Sequence, residues 1–225
     1  MARVGLGRAG NSVSTRDLLT FQLDHARARD AVHGVFDPTA LAAEIGSNAG
    51  SNAVIVESAA RDRQEYLRRP DLGRRLSESS REVLERMPGP FDAVFVVGDG
   101  LSPMAVQKQA AGLLRLVWPL GAVVIASQAR VALSDEIGFI LQASLAVMLI
   151  GERPGLSSFD SMGAYLTWSP RPGRTDAERN CISNIRPEGL SIRAAAELLL
   201  VLMGEARAQR LSGVGLKAEG TRRLA

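Results

Sequence analysis

The candidates for chemistry in this 225-residue sequence are its one cysteine, Cys181, its two histidines, His25 and His33, and two of its carboxylates, Asp99 and Glu152, each beside glycine at the end of an apolar run. Nucleophilic catalysis needs a base within hydrogen-bond reach of the nucleophile. Both histidines fall on one N-terminal amphipathic segment, outside the stretch that holds the other candidates, so no hydrolytic triad can be assembled. Cys181 would need a neighbouring base or cation to form thiolate, and the local sequence offers only Arg179 and Arg186. Asp99 and Glu152 could form a carboxylate pair, yet tight turns explain Gly98-Asp-Gly100 and Gly151-Glu152 more simply. Glu152, followed by Arg153, fits a hydrogen-bond acceptor for a neutral polar ligand. His25 and His33 are too far apart on one helix for a two-histidine metal site, and they are expected at the surface. A P-loop lysine, a metal-ligand cluster and aromatic interleaving for nucleic acid are all missing from the sequence. These residues describe binding, with no self-sufficient active site.

The elements that must position them begin with the apolar run Ser144 to Ile150. It breaks into the turn Gly151-Glu-Arg-Pro-Gly-Leu156, as a buried strand does when it delivers polar groups to a surface. Phe91 to Val97 is a second such strand, entering Gly98-Asp-Gly-Leu101, with Ser102-Pro103 suited to start a helix through Val117. Gly121 to Ala126 is a third strand, followed by Ser127-Gln-Ala-Arg-Val131 and a helix beginning at Ser134-Asp-Glu136. Tyr165 to Trp168 and Asn180 to Ile185 complete the strands. A final helix from about Ser191 carries Ile192, Ala195, Leu199, Leu202, Met203 and Ala206 on its apolar side. Apolar strands alternating with helices predict a doubly wound, Rossmann-like α/β domain with a parallel sheet. Ligands bind such sheets beyond the carboxyl ends of the strands. Four segments then converge: 98–102, 127–131, 151–156 and 180–184. Gly100 and Leu101 are candidate contacts on position alone, because small loop residues let a backbone approach a large flat ligand.

The N-terminal part reads differently. Gly5-Leu-Gly7-Arg-Ala-Gly10 matches G-x-G-x-x-G, but only four residues precede Gly5, too few for the strand that a nicotinamide or flavin site needs. A basic arm lying on a partner is the simpler expectation. Ser14-Thr-Arg-Asp17 has capping-box spacing and opens a helix with Leu18, Leu19, Gln22, Ala26 and Val32 along one side, closed by Gly34. Short helices follow, with a possible extended piece at Val54 to Val56 and a charge run from Tyr66 to Arg75 expected to coat a solvated helix, a phosphate or partner contact being the lesser alternative. Pro88-Gly-Pro90 marks a boundary, giving an N-terminal arm and helical region over 1–90 and a Rossmann-like domain over 91–225. The formal charge is only +3, with Arg interspersed among Asp and Glu, which predicts no nucleic-acid stripe. A single cysteine permits no internal disulfide and suggests a reducing compartment. No apolar run approaches the ~20 residues of a membrane span, and no signal-peptide core follows Met-Ala-Arg.

Gly-Asp-Gly-Leu-Ser102, Gln-Ala-Arg-Val131, Ile-Gly-Glu-Arg-Pro-Gly-Leu156 and Cys-Ile-Ser-Asn-Ile185, in this order, resemble the small (light) subunit of ethanolamine ammonia-lyase. The Arg-Val-Gly-Leu-Gly-Arg-Ala-Gly-Asn-Ser arm, the Thr-Arg-Asp-Leu-Leu helix and the run ending at Arg75 fit the same family, so the likeness covers almost the whole chain. It implies an α/β domain that packs against the corrin ring of adenosylcobalamin in a hetero-oligomer. A larger TIM-barrel subunit would hold ethanolamine, and radical chemistry supplied by the cofactor would release acetaldehyde and ammonia. The resemblance carries cofactor contacts over to Val131, Glu152 and Cys181, and gives this chain neither a catalytic residue nor a metal site. Asp24-His25 lacks the Asp-x-His-x-x-Gly spacing by which other cobalamin domains replace the cofactor's own base, which implies base-on cobalamin. The implied location is the cytoplasm, free or within a bacterial microcompartment. A free-standing cobalamin carrier without a catalytic partner is the alternative, and a nucleotide-dependent oxidoreductase a weaker one.

Overall fold

The computed structural model describes residues 8–9, 12–49, 53–117 and 121–216. The glycines of the G-x-G-x-x-G match lie outside them. Two short strands, β1 (Arg8–Ala9) and β2 (Ser12–Val13), pair antiparallel ahead of helix α1 (Thr15–His33). Ser14 caps α1 as its sequence predicts, accepting from the Asp17 N–H at 3.2 Å. His25 and His33 are both exposed, and Ala31 is the one buried residue described in α1. Helix α2 (Pro38–Ala49) follows.

Six strands form the main sheet: β3 (Val54–Glu57), β4 (Ala93–Gly98), β5 (Ala122–Ser127), β6 (Leu145–Gly151), β7 (Met162–Trp168) and β8 (Arg179–Ile185), in the spatial order β3-β5-β4-β6-β7-β8. The first four are mutually parallel, and β7 runs antiparallel to both β6 and β8. The sheet is therefore mostly parallel, where the sequence predicted a parallel one. The reason lies in the connections. A parallel pair needs a crossover of a dozen or more residues, usually a helix, and only the turn-rich loop 152–161 separates β6 from β7. Two reversals restore the direction of β8, so its carboxyl end points the same way as those of β4, β5 and β6. The extended piece at Val54 is a full edge strand paired with β5, so the sheet takes one strand from before Pro88.

Helices α3 (Arg63–Arg68), α4 (Glu78–Glu85), α5 (Pro103–Val117), α6 (Leu133–Ile140) and α7 (Ile192–Gln209) complete the fold. Ala93, Phe95 and Val97 join α2, α5 and α7 in one apolar cluster, while Val94 and Val96 join α4 and α6 in another. Alternate residues of β4 thus bury themselves on opposite faces, which is why the strand reads as a continuous apolar run. In β7 and β8, Ala164, Leu166, Ile182 and Ile185 join the α7 side. The other face of these two strands carries Gly163, Tyr165 and Cys181, and Cys181 is exposed.

Candidate ligand-binding site

The carboxyl ends of β4 and β6 meet through glycine. Gly100 has φ +57°, and a Cβ there would lie 2.2 Å from the Gly151 carbonyl oxygen. That contact distance is possible only for a hydrogen, and it lets the Leu101 N–H donate to Gly151 O at 2.9 Å. Gly151 is constrained in turn, since its Cβ would lie 2.1 Å from Ser102 O. The Ser102 hydroxyl, expected to cap α5, donates to Phe159 O at 2.8 Å and fixes the loop 152–161.

Asp99 does more than make a turn. Its Oδ1 accepts from the Gly100 and Ala129 N–H groups, both at 2.9 Å, and Oδ2 faces Arg63 Nη1 at 3.0 Å. Arg63 donates further to Gly100 O and, through Nε, to Val32 O, both at 2.8 Å. One carboxylate and one guanidinium therefore join the β4 loop, the β5 loop and the end of α1. Burial pushes the Asp99 carboxyl up to about 6, against the downward pull of the Ala129 N–H, Arg63 and the neighbouring amides. Because the folded value lies above the ordinary 3.8, the proton-linked stability is present below about pH 4 and is lost as pH rises through 6. The stability of wild type relative to Asp99→Asn, followed by urea unfolding from pH 4 to 7, is expected to fall by on the order of 2–3 kcal/mol. A difference that stays flat with pH would refute the assignment.

Around these loops lies a shallow hollow of about 400 Å³ lined by Tyr66, Gly100, Leu101, Arg130, Val131, Glu152, Arg153 and Tyr165 among others. Four of the five candidate residues, Gly100, Leu101, Val131 and Glu152, thus stand together. Cys181 is outside the lining but beside it, as the β8 partner of Tyr165. Glu152 is oriented by the Ser161 hydroxyl and by the Asn184 N–H at 3.2 Å, both on Oε2. Its Oε1 accepts no hydrogen bond among the described residues and lies over Gly163, where a Cβ would come within 3.0 Å of it. A register shift between Met162 and Ala164 accompanies this crowding, and Asn184 adopts φ +59°.

Tyr66 was hidden in the sequence within a charge run expected at the surface. It is fully buried, donates to Ala129 O at 2.9 Å, and lies between the Arg63 and Arg130 guanidiniums at 4.8 and 4.2 Å from its ring. Arg68, Arg69, Arg74 and Arg75 of the same run are exposed as expected. Tyr165, Gly163 and Ser161 also escaped sequence reasoning, although the strand containing Tyr165 and Gly163 was partly recognised. No local pattern marks a residue that acts from a neighbouring strand.

The chemistry available is recognition. Although Cys181 is exposed as a residue, its neighbours remove water from the thiol and push its pKa up; Glu152 adds to the rise and the Tyr165 hydroxyl opposes it. The thiol is thereby held in its protonated, weakly nucleophilic form. Asp99 is enclosed by donors, and no group of three metal-ligating side chains occurs among the described residues. An unpartnered carboxylate oxygen, apolar Leu101 and Val131, and a glycine floor suit one face of a flat ligand with polar edges.

Fold and site together define an α/β protein with a hollow at the carboxyl ends of its parallel strands. Residues 1–217 match the family model described as ethanolamine ammonia-lyase light chain (EutC). Ethanolamine ammonia-lyase small subunits are similar throughout. The one from Bradyrhizobium diazoefficiens is 53% identical, covering 99% of this chain and 88% of its own; that from Rhodopseudomonas palustris is 56% identical, covering 96% and 86%. The Pseudomonas aeruginosa subunit is 51% identical, covering 97% and 84%. The chain belongs to the ethanolamine ammonia-lyase light-chain family, a family of lyase subunits, as its motifs indicated.

Proposed function

We propose that this chain binds one face of adenosylcobalamin as the small subunit of a hetero-oligomeric ethanolamine ammonia-lyase. The observation that carries the reading is Glu152 Oε1, held over Gly163 by two hydrogen bonds to its sister oxygen and accepting none itself among the described residues. The corrin periphery bears neutral amides, and an oriented carboxylate is a strong acceptor for an amide N–H. Leu101 and Val131 offer apolar contact, Gly100 and Gly163 permit close approach, and Cys181 packs as a small neutral group. At about 400 Å³ the hollow lies near the lower end of pockets that enclose drug-sized ligands. A corrinoid is larger than such ligands, so its other face would be covered by the large subunit, a TIM barrel that holds ethanolamine.

The helices on both sheet faces support a doubly wound, Rossmann-like arrangement to which residues before Pro88 contribute β3, α2 and α4, with the N-terminal arm and α1 lying on the large subunit. Helix α1 is suited to packing there, since Leu18, Leu19, Phe21 and Leu23 are 41–59% exposed. No described helix is long and apolar enough to cross a membrane, in keeping with a complex in the cytoplasm or a bacterial microcompartment. When bound, base-on adenosylcobalamin would supply the radical chemistry that turns ethanolamine into acetaldehyde and ammonia. This chain's residues would position the corrin and exclude water from its covered face.

In the complex coexpressed with its large subunit, Glu152→Ala should weaken adenosylcobalamin binding by about 1–3 kcal/mol, read by equilibrium dialysis. Unchanged affinity would remove Glu152 from the site.

A further inference from the structure

Arg63 stands where three separate parts of the chain meet. It opens α3, a helix of six residues capped by the Asp62 carboxylate, which accepts from the Glu65 N–H at 2.7 Å. Its guanidinium lies 4.8 Å from the centre of the Tyr66 ring, so a buried neighbour one turn along the helix fixes the fork in place. From there Nε donates to Val32 O in the last turn of α1, and Nη1 donates to both Asp99 Oδ2 and Gly100 O. Nη2 is buried and has no acceptor among the described residues. The three acceptors that the fork spans set its position, at the expense of a donor left unused.

The acceptors belong to units that could move apart. Val32 O is among the last carbonyls of α1, which have no partner inside their own helix. Asp99 ties the β4 loop to the β5 loop through the Gly100 and Ala129 N–H groups, and these loops carry Leu101 and Val131 into the hollow. Helix α1 meets the body in its second half, where Ala31 is buried and the Arg27 guanidinium lies 6.0 Å from the Phe159 ring of loop 152–161. Its first half presents Leu18, Leu19, Phe21 and Leu23 to solvent. A rigid helix gripped near one end carries a displacement of its open end to whatever the grip holds. With α1 in place the fork has three acceptors; with the last turn of α1 swung away it keeps two, both on the β4 loop.

We propose that Arg63 is a positioning residue that links α1 to the loops carrying Leu101 and Val131, so that seating the apolar face of α1 on the large subunit and binding adenosylcobalamin at the hollow strengthen each other. The proposal rests on the function proposed above and adds to it a linkage through this chain. Such a linkage is reciprocal: if seated α1 favours the loop spacing that accepts the corrin, bound corrin favours seated α1 by the same factor.

The test reads that factor. The complex with the large subunit is diluted until it dissociates, with and without saturating adenosylcobalamin, and the subunit Kd is taken from sedimentation velocity in each case. The ratio of the two Kd values is the linkage. Direct bridging of the subunits by the corrin adds the same share to the ratio in every variant. Arg63→Gln should cut the ratio about tenfold, the size of one charge-assisted hydrogen bond. Arg63→Lys keeps a positive charge beside Asp99 and loses the fork that also reaches Val32 O, so it should retain wild-type thermal unfolding and still show the reduced ratio. An arginine with a merely structural role would shift the subunit Kd equally with and without corrinoid. An unchanged ratio in Arg63→Gln, or a full ratio in Arg63→Lys, therefore overturns the linkage. If the wild-type complex binds no adenosylcobalamin, the cobalamin reading itself falls, whereas failure of the linkage alone leaves wild-type binding intact.

Discussion

Gly100→Ala should destabilise the protein by about 3 kcal/mol or more and disrupt the candidate site, because two separate costs coincide at one atom. A left-handed backbone costs alanine roughly 1–2 kcal/mol. The added methyl also meets Gly151 O at 2.2 Å and Ile150 Cγ1 at 2.5 Å. The first of these is backbone of a buried strand and cannot turn aside. Relief requires the β4 and β6 loops to separate, which breaks the Leu101 N–H to Gly151 O bond, worth about 1 kcal/mol. Gly173 provides the control: its φ is +92°, yet nothing lies within 4 Å of a Cβ there. Gly173→Ala should show the conformational cost alone, about 1 kcal/mol, with unchanged ligand affinity. The readout is the urea midpoint at constant m-value, and equal shifts for the two variants would rule out the contact as the cause.

Asp135→Ala should be as damaging, costing about 3–5 kcal/mol, because it strands the Arg179 guanidinium in the interior. Both side chains are only 2% exposed; Thr167 Oγ1 and Arg174 O accept from the guanidinium at 3.2 and 2.9 Å, and the fully exposed Asp176 faces its Nε at 3.5 Å. Removing both charges is a different experiment. The pair Asp135→Leu with Arg179→Met replaces two desolvated ions with apolar volume and should recover most of the loss, since a buried ion pair adds little net stability over a well-packed apolar substitute. A double variant no more stable than Asp135→Ala would show that the pair does more than compensate itself. The same pair holds the start of α6 against β8.

These two sites were not equally visible in the sequence. Gly98-Asp-Gly100 was recognisable as a turn after a buried strand, because the apolar run and the glycines are adjacent. Asp135 and Glu136 looked like ordinary first-turn acids of a helix. In the structure both are buried: Asp135 on Arg179, and Glu136 on Arg81 and on the Leu76 N–H at 2.8 Å. Their partners lie 44 to 60 residues away, and no local spacing announces them. Tyr66 is similar. An aromatic ring inside an arginine-rich run looks solvated until Arg63 and Arg130 are seen to enclose it.

By itself the sequence determined the central elements, because their causes are local. Strands predicted at 91–97, 121–126 and 144–150 run at 93–98, 122–127 and 145–151, and the helix begun by Ser102-Pro103 spans 103–117. It also carried the family, whose motifs are short and survive in order. Only the tertiary structure decided that β7 turns back, that β3 joins the sheet, that Asp99 reaches Arg63, and that Glu152 Oε1 lies over Gly163. Each of these depends on which faces meet across the sheet. Periodicity records which residues must be buried, but not against what; that choice is made by packing between segments far apart in the chain.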